Sequence, residues 1–222
     1  MTTPPFQALV IPVTAFQQNT SLIWCAETKK AAFVDPGGDV PRLIGALEKA
    51  SEQHGIVLDK ILLTHGHMDH AGAAAELAER YGVPVEGPHE DEAFLLENLS
   101  QQGAKYGMQS RDVTPDRWLK DGDQVSLGAL AFDVVHCPGH TPGHVVFVQK
   151  DARFAFVGDV IFQGSIGRTD FPRGNHADLV SSIRNKLFPL GDDIRFLPGH
   201  GPISSFGQER QTNPFVADHR FG

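Results

Sequence analysis

Thr64-His65-Gly66-His67-Met68-Asp69-His70 sets four potential metal ligands within six residues. The stretch follows the apolar run Ile61-Leu62-Leu63 and precedes Ala71-Gly72-Ala73-Ala74-Ala75-Glu76-Leu77, so it reads as strand, tight loop, helix. Three imidazoles and a carboxylate at the end of a buried strand carry a heavy desolvation burden unless something binds them. A metal ion relieves that burden. Imidazole suits Zn, Fe, Cu and Ni, and the added carboxylate widens the choice toward Mn and Fe. Three later positions strengthen the reading: His140 in Cys137-Pro138-Gly139-His140, Asp159 in Val157-Gly158-Asp159, and His200 in Leu197-Pro198-Gly199-His200. Each follows an apolar strand-like run, and loops at strand ends are where a rigid scaffold gathers functional groups.

Working outward from these motifs, β-type runs recur at Leu9 to Val13, Ser21 to Cys25, Ala31 to Asp35, Lys60 to Thr64, Val125 to Val135, Val145 to Val148, Phe154 to Val157 and Ile194 to Leu197. Helical spacing of apolar residues predicts helices at Pro41 to His54, Ala71 to Tyr81, Asp91 to Gly103 and His176 to Leu187. Turn signals run continuously, with no Ser/Gly/Pro-rich linker at which to divide the chain, so one domain over residues 1–222 is expected.

The bulk properties agree. A chain of 222 residues with 41% hydrophobic and 21% charged residues has the composition of an ordinary globular protein. A net charge of -8 and the lack of a Lys/Arg-rich run argue against a nucleic-acid partner. No apolar stretch approaches a membrane span, and Met1-Thr2-Thr3-Pro4-Pro5 is not a signal-peptide start. A cytoplasmic location without membrane contact is therefore expected. Cys25 and Cys137 form neither a disulfide framework nor a CxxC pair, and read as small buried hydrophobes in strands.

The order HxHxDH, then His, Asp and His, resembles the metallo-β-lactamase superfamily over almost the whole chain. Asp35-Pro36-Gly37-Gly38, Gly158-Asp159-Val160-Ile161-Phe162 and Gly167-Arg168-Thr169-Asp170-Phe171 are similar to its small, single-domain, type II glyoxalase-like (hydroxyacylglutathione hydrolase-like) bacterial members. The resemblance implies an α+β fold, a four-layer αββα sandwich in one domain, with the site at one edge. It implies two divalent transition-metal ions, zinc, iron or manganese. His65, His67 and His140 would hold one and Asp69, His70 and His200 the other, with Asp159 bridging. The helical C-terminal substrate domain of full-length type II glyoxalases is expected to be absent. His144, four residues after His140, is implied to support a ligand without being one. His54, His89, His136, His176 and His219 have no partner spacing and are expected to be structural or solvated.

The chemistry implied is hydrolysis of a small-molecule thioester such as S-D-lactoylglutathione, by a hydroxide shared between the metals and oriented by the catalytic Asp69 and Asp159. A thiol is a good leaving group, which suits a site without an evident general acid. Arg168 matches a basic residue that type II glyoxalases place near the glutathione part of the substrate. The aromatic residue expected beyond it is replaced by Thr169 and Asp170, and the tyrosine after the last histidine by Gly201-Pro202. Asp159, in place of a cysteine, departs from the zinc β-lactamases. The competing reading is a persulfide dioxygenase with one iron on His65, His140 and Asp159. The acidic balance argues against a third, RNA-processing nuclease reading.

Overall fold

The computed structural model of the chain describes residues 6–221. Two β-sheets face one another. The first contains β1 (Phe6–Val13), β2 (Gln18–Cys25), β3 (Lys30–Val34), β4 (Val57–Leu62) and β5 (Val85–Glu86), hydrogen-bonded in that order. The second runs from β6 (Gln124–Leu127) through β7 (Leu130–His136), β8 (Val145–Gln149) and β9 (Phe154–Gly158). A small ribbon of β10 (Ile161–Phe162) and β11 (Ser165–Ile166) follows, and β12 (Arg195–Pro198) and β13 (Ser204–Ser205) then complete the second sheet beyond β9. Helix α1 (Val40–His54) connects the parallel strands β3 and β4, the crossover that a parallel pair requires. Shorter helices follow: α2 (Met68–Ala71), α3 (Ala74–Tyr81), α4 (Ala93–Leu96), α5 (Leu99–Lys105), α6 (His176–Ser182) and α7 (Phe206–Thr212).

Period-two alternation explains the layers. Ile23, Cys25, Ala32, Val34 and Leu62 of the first sheet meet Phe132, Val134, Val145, Phe147, Phe156 and Leu197 of the second in a core between the sheets. The alternate residues Leu22, Trp24, Phe33 and Ile61 turn outward onto Leu43, Leu47 and Ala50 of α1 and Leu77 of α3. On the other side, Val146, Val148, Val157 and Phe196 pack on Leu179 of α6, on Ile183 and Leu187 after it, and on Phe206 of α7. Strands covered on both faces read as continuous apolar runs. This is the αββα sandwich implied by the resemblance. Both cysteines are buried and free, as expected.

Four expected elements divide. Val125 to Val135 is a hairpin turning at Gly128, whose φ of 60° is the left-handed region glycine enters without penalty. Ala71 to Tyr81 becomes α2 and α3, broken at Gly72 and Ala73. Asp91 to Gly103 becomes a 3₁₀ turn (Glu90–Glu92), α4 and α5; the Asn98 side chain donates to the Phe94 carbonyl and closes α4. His176 to Leu187 is α6 continued by a π-helical turn, Ile183–Leu187. The helix α7 was not anticipated. No helix among the described residues is long and apolar enough to cross a membrane.

Phe147 is fully buried between the sheets. Phe147→Ala should cost about 3–5 kcal/mol of stability. Val57→Ala, at a residue 69% exposed, should stay within about 0.5 kcal/mol. Urea denaturation of both variants checks this, and equal shifts would contradict the layered core.

Candidate metal centre

The topology brings the functional residues to one edge. Parallel β3 and β4 end at Asp35 and at the His65–His70 loop; parallel β9 and β12 end at Asp159 and His200. His140 lies in the loop from β7 to β8, at the same edge. Backbone hydrogen bonds lock the sheets together there: Asn19 N–H to Gly199 O at 2.7 Å and Val145 N–H to Thr64 O at 2.8 Å.

Seven expected ligands converge as two groups. In the first, His65 Nε2 and His140 Nε2 each lie 3.1 Å from His67 Nδ1. In the second, His200 Nε2 is 3.3 Å from Asp69 Oδ2, beside His70. Asp159 stands between them, Oδ1 at 3.3 Å from His70 Nε2, and Oδ2 at 3.6 Å from His140 Nε2 and 3.7 Å from His200 Nε2. Gly199 permits this approach, since a Cβ there would lie 2.1 Å from Asp159 Oδ1 and 2.4 Å from the His70 ring.

The partners on the far side of each ring assign the tautomers. His70 Nδ1–H donates to Asp35 Oδ2 at 2.9 Å, His140 Nδ1–H to the Arg168 carbonyl at 2.7 Å, and His200 Nδ1–H to the Phe16 carbonyl at 3.1 Å. His65 Nδ1–H donates to Thr64 Oγ at 3.1 Å, and Thr64 in turn donates its N–H and O–H to Asp35 at 2.7 and 2.6 Å. Every one of these rings therefore turns its Nε2 inward.

A metal fits this arrangement. His67 Nδ1 faces two inward lone pairs and can offer a proton to only one of them. Nitrogens bound about 2.0–2.1 Å from a tetrahedral zinc stand about 3.3 Å apart, close to the spacing found. His70 Nε2 and Asp159 Oδ1 are buried and have no hydrogen-bond partner, the condition that ligation removes. Burial holds His65 and His140 below the usual imidazole range and His67 down to about 3, so those rings stay neutral and keep their lone pairs. Burial opposes the charge on Asp159 and Asp69, yet His70 beside Asp159 and the His200 hydrogen bond to Asp69 hold both carboxyls low. The same carboxylates raise His70 and His200 against the effect of burial.

His144 is a supporting residue here: its Nε2 accepts the Asp159 N–H at 3.1 Å, and its ring stacks on His65 with centroids 4.6 Å apart. His54 stacks on Trp24, and His89 on His136, away from the cradle. Arg168 differs from a free substrate cation. Its exposed guanidinium donates to Asp170 at 2.9 and 2.7 Å and lies 4.6 Å over the Phe171 ring, which packs on His67. Its backbone carbonyl is what touches the site. The residues that sequence reasoning left without a role are Asp35, Thr64, Glu92 and the carbonyls of Phe16 and Arg168. Only Asp35 had a signal, in its Asp-Pro-Gly-Gly motif.

A two-sheet sandwich whose strand ends gather HxHxDH with a later His, Asp and His defines a metal-dependent hydrolase class. The chain belongs to the metallo-beta-lactamase superfamily, whose profile matches residues 13–200. Among relatives, it is 49% identical to the hydroxyacylglutathione hydrolase GloC of Haemophilus influenzae, over 93% of this chain and 96% of that one. The solved structure of the BLEG-1 B3 metallo-beta-lactamase superposes with a TM-score of 0.83 at 37% identity, covering 95% of this chain and 99% of the other. TTHA1623, solved in a di-iron-bound form, gives 0.82 at 33%, covering 94% and 100%.

Asp35 sets the His70 tautomer. Asp35→Asn should weaken zinc binding at the Asp69, His70 and His200 group by about 10- to 100-fold with the circular dichroism spectrum retained. Unchanged zinc affinity in chelator competition would remove Asp35 from this role.

Proposed function

We propose that this chain hydrolyses a small thioester of the hydroxyacylglutathione type with two divalent transition-metal ions, zinc, iron or manganese. His65, His67 and His140 would hold one, Asp69, His70 and His200 the other, and Asp159 both. The observation that carries this reading is Asp159, whose carboxylate reaches both groups: Oδ2 lies 3.6 Å from His140 of the first and 3.7 Å from His200 of the second, and Oδ1 lies 3.3 Å from His70 of the second. Thioester chemistry is supported by the 49% identity to a hydroxyacylglutathione hydrolase across nearly both chains.

Such ions, when bound, supply a water of lowered pKa and a Lewis acid for the substrate carbonyl oxygen. The chain's own work is orientation. Asp69 and Asp159, both kept ionised, accept hydrogen bonds from the attacking water and aim it at the carbonyl carbon. The thiol leaving group has a pKa near 8.5 in free form and departs as thiolate, so no side chain need protonate it. Cys137 is fully buried, so its thiol has no access to substrate as a competing nucleophile. Phe171 covers His67 and His140 at ring distances of 4.8 and 5.6 Å and screens the first group from water. Arg168 reads an anionic carrier such as glutathione through the guanidinium edge that Asp170 leaves open.

The test combines metal counting with parallel assays. The expected result is two metal ions per chain and cleavage of S-D-lactoylglutathione, with Asp159→Ala losing both metals and Asp69→Ala losing cleavage. A single iron indifferent to removal of His70 and His200, together with oxygen uptake on glutathione persulfide, would replace this reading with the mononuclear dioxygenase. A β-lactam belongs in the same panel, and its preferential hydrolysis would equally overturn the thioester assignment.

Arg168→Ala should raise KM for a glutathione thioester by about 10-fold, the low end for a charge-assisted hydrogen bond at an exposed group. Metal content should not change, because the carbonyl that holds His140 remains. An equal loss on an uncharged thioester would show that the side chain supports its loop and does not read the carrier.

A further inference from the structure

Glu92 is a fully buried carboxylate, and its hydrogen bonds go to backbone amides and not to any of the seven cradle side chains. It stands at the end of the 3₁₀ turn Glu90–Glu92. Its Oε2 accepts the Gly66 N–H at 2.7 Å and its Oε1 accepts the Gly143 N–H at 2.7 Å. Gly66 lies between His65 and His67; Gly143 lies between His140 and His144. The same turn returns a third bond, from His89 N–H to the Gly143 carbonyl at 3.1 Å. One carboxylate therefore spans both loops that carry the first imidazole group.

The local packing has been shaped around it. A Cβ at Gly66 would meet Leu95 Cβ at 2.7 Å and Glu92 Oε2 at 3.1 Å, and one at Gly143 would meet Glu92 Cγ at 2.7 Å. No lysine, arginine or histidine pairs with Glu92 among the described residues. Burial without a cation pushes its carboxyl up to about 7. An isosteric apolar side chain would avoid that penalty, so the two backbone bonds are the feature that distinguishes a carboxylate here.

We propose that Glu92 is a positioning residue, a brace that fixes the spacing of the His65–His67 loop against the His140 loop and so sets the affinity of the first metal group. This rests on the metal-cradle reading above. A glutamine offers one acceptor oxygen but turns an amide N–H₂ toward the other loop, so it can satisfy one glycine and must repel the other.

The experiment compares wild type, Glu92→Gln and, as a control for loss of a buried carboxylate, Glu86→Gln. Glu86 is paired with Lys60 and Arg117 instead of with the loops. Two readouts are taken: hydrogen exchange of the Gly66 and Gly143 amides in metal-free protein, and zinc affinity by chelator competition. Glu92→Gln should speed exchange of at least one of these two amides about 10-fold or more and weaken zinc binding about 10- to 100-fold. Glu86→Gln should lower the melting temperature and leave both readouts alone. Unchanged exchange and affinity in Glu92→Gln, or equal changes in Glu86→Gln, would overturn the brace. Should Glu92→Gln fail to fold, Gly143→Ala, which displaces the carboxylate, must reproduce both effects for the proposal to stand. If wild type itself binds no zinc, the cradle reading fails and with it the affinity role of the brace; the exchange readout shows separately whether Glu92 ties the loops.

Discussion

A neutral imidazole has two ring nitrogens and one proton, and the arrangement of this molecule depends on where that proton is held. For His65, His70, His140 and His200 it lies on Nδ1, facing a fixed oxygen on the far side of the ring. Four Nε2 atoms consequently turn inward, and at His65 and His140 they are lone pairs. Burying them without a ligand is costly, and the depressed basicity of His65 and His140 is the electrostatic counterpart of that burial. The carboxylates of Asp69 and Asp159 supply negative charge beside those lone pairs. The whole is a cavity complementary to divalent cations.

Such precision requires a rigid edge. Parallel strand pairs in both sheets end there, and their last residues cannot shift without shearing cores that are packed on both faces. Direct backbone bonds between the sheets, from Asn19 to Gly199 and from Val145 to Thr64, hold the two halves of the site in one register. Close approach does the rest. Gly37 lets the His67–His70 turn settle against the first sheet, where a Cβ would fall 1.5 Å from the Asp69 carbonyl.

Much of this was legible in the sequence because the candidate ligands announce themselves by spacing and by their place after apolar runs. The strands were legible too, since period-two runs of Val, Ile, Leu and Phe leave few alternatives. The region from Asp91 to Gly103 was not: its apolar residues satisfy helical spacing, but the turn at Glu90–Glu92 answers to the long-range bonds of Glu92 with Gly66 and Gly143. The supporting oxygens were hidden for a related reason. Asp35 lies 35 residues from His70, and Phe16 lies 184 from His200, so no local pattern joins them. Backbone carbonyls leave no compositional trace at all.

That last point separates two kinds of support. His65 and His70 rely on side chains, Thr64 and Asp35, which also bond to one another, so substituting either disturbs both rings. His140 and His200 rely on the carbonyls of Arg168 and Phe16, which every residue type possesses. Positions 16 and 168 can therefore change their side chains while still orienting a ligand. Both lie at the rim: Phe16 packs edge-on against Tyr106, and Arg168 lies over Phe171. Because rim side chains are carried by backbone that already holds the site, their chemistry can vary while the cradle stays as it is. A single fold can in this way keep one metal cradle and present different surfaces to different substrates.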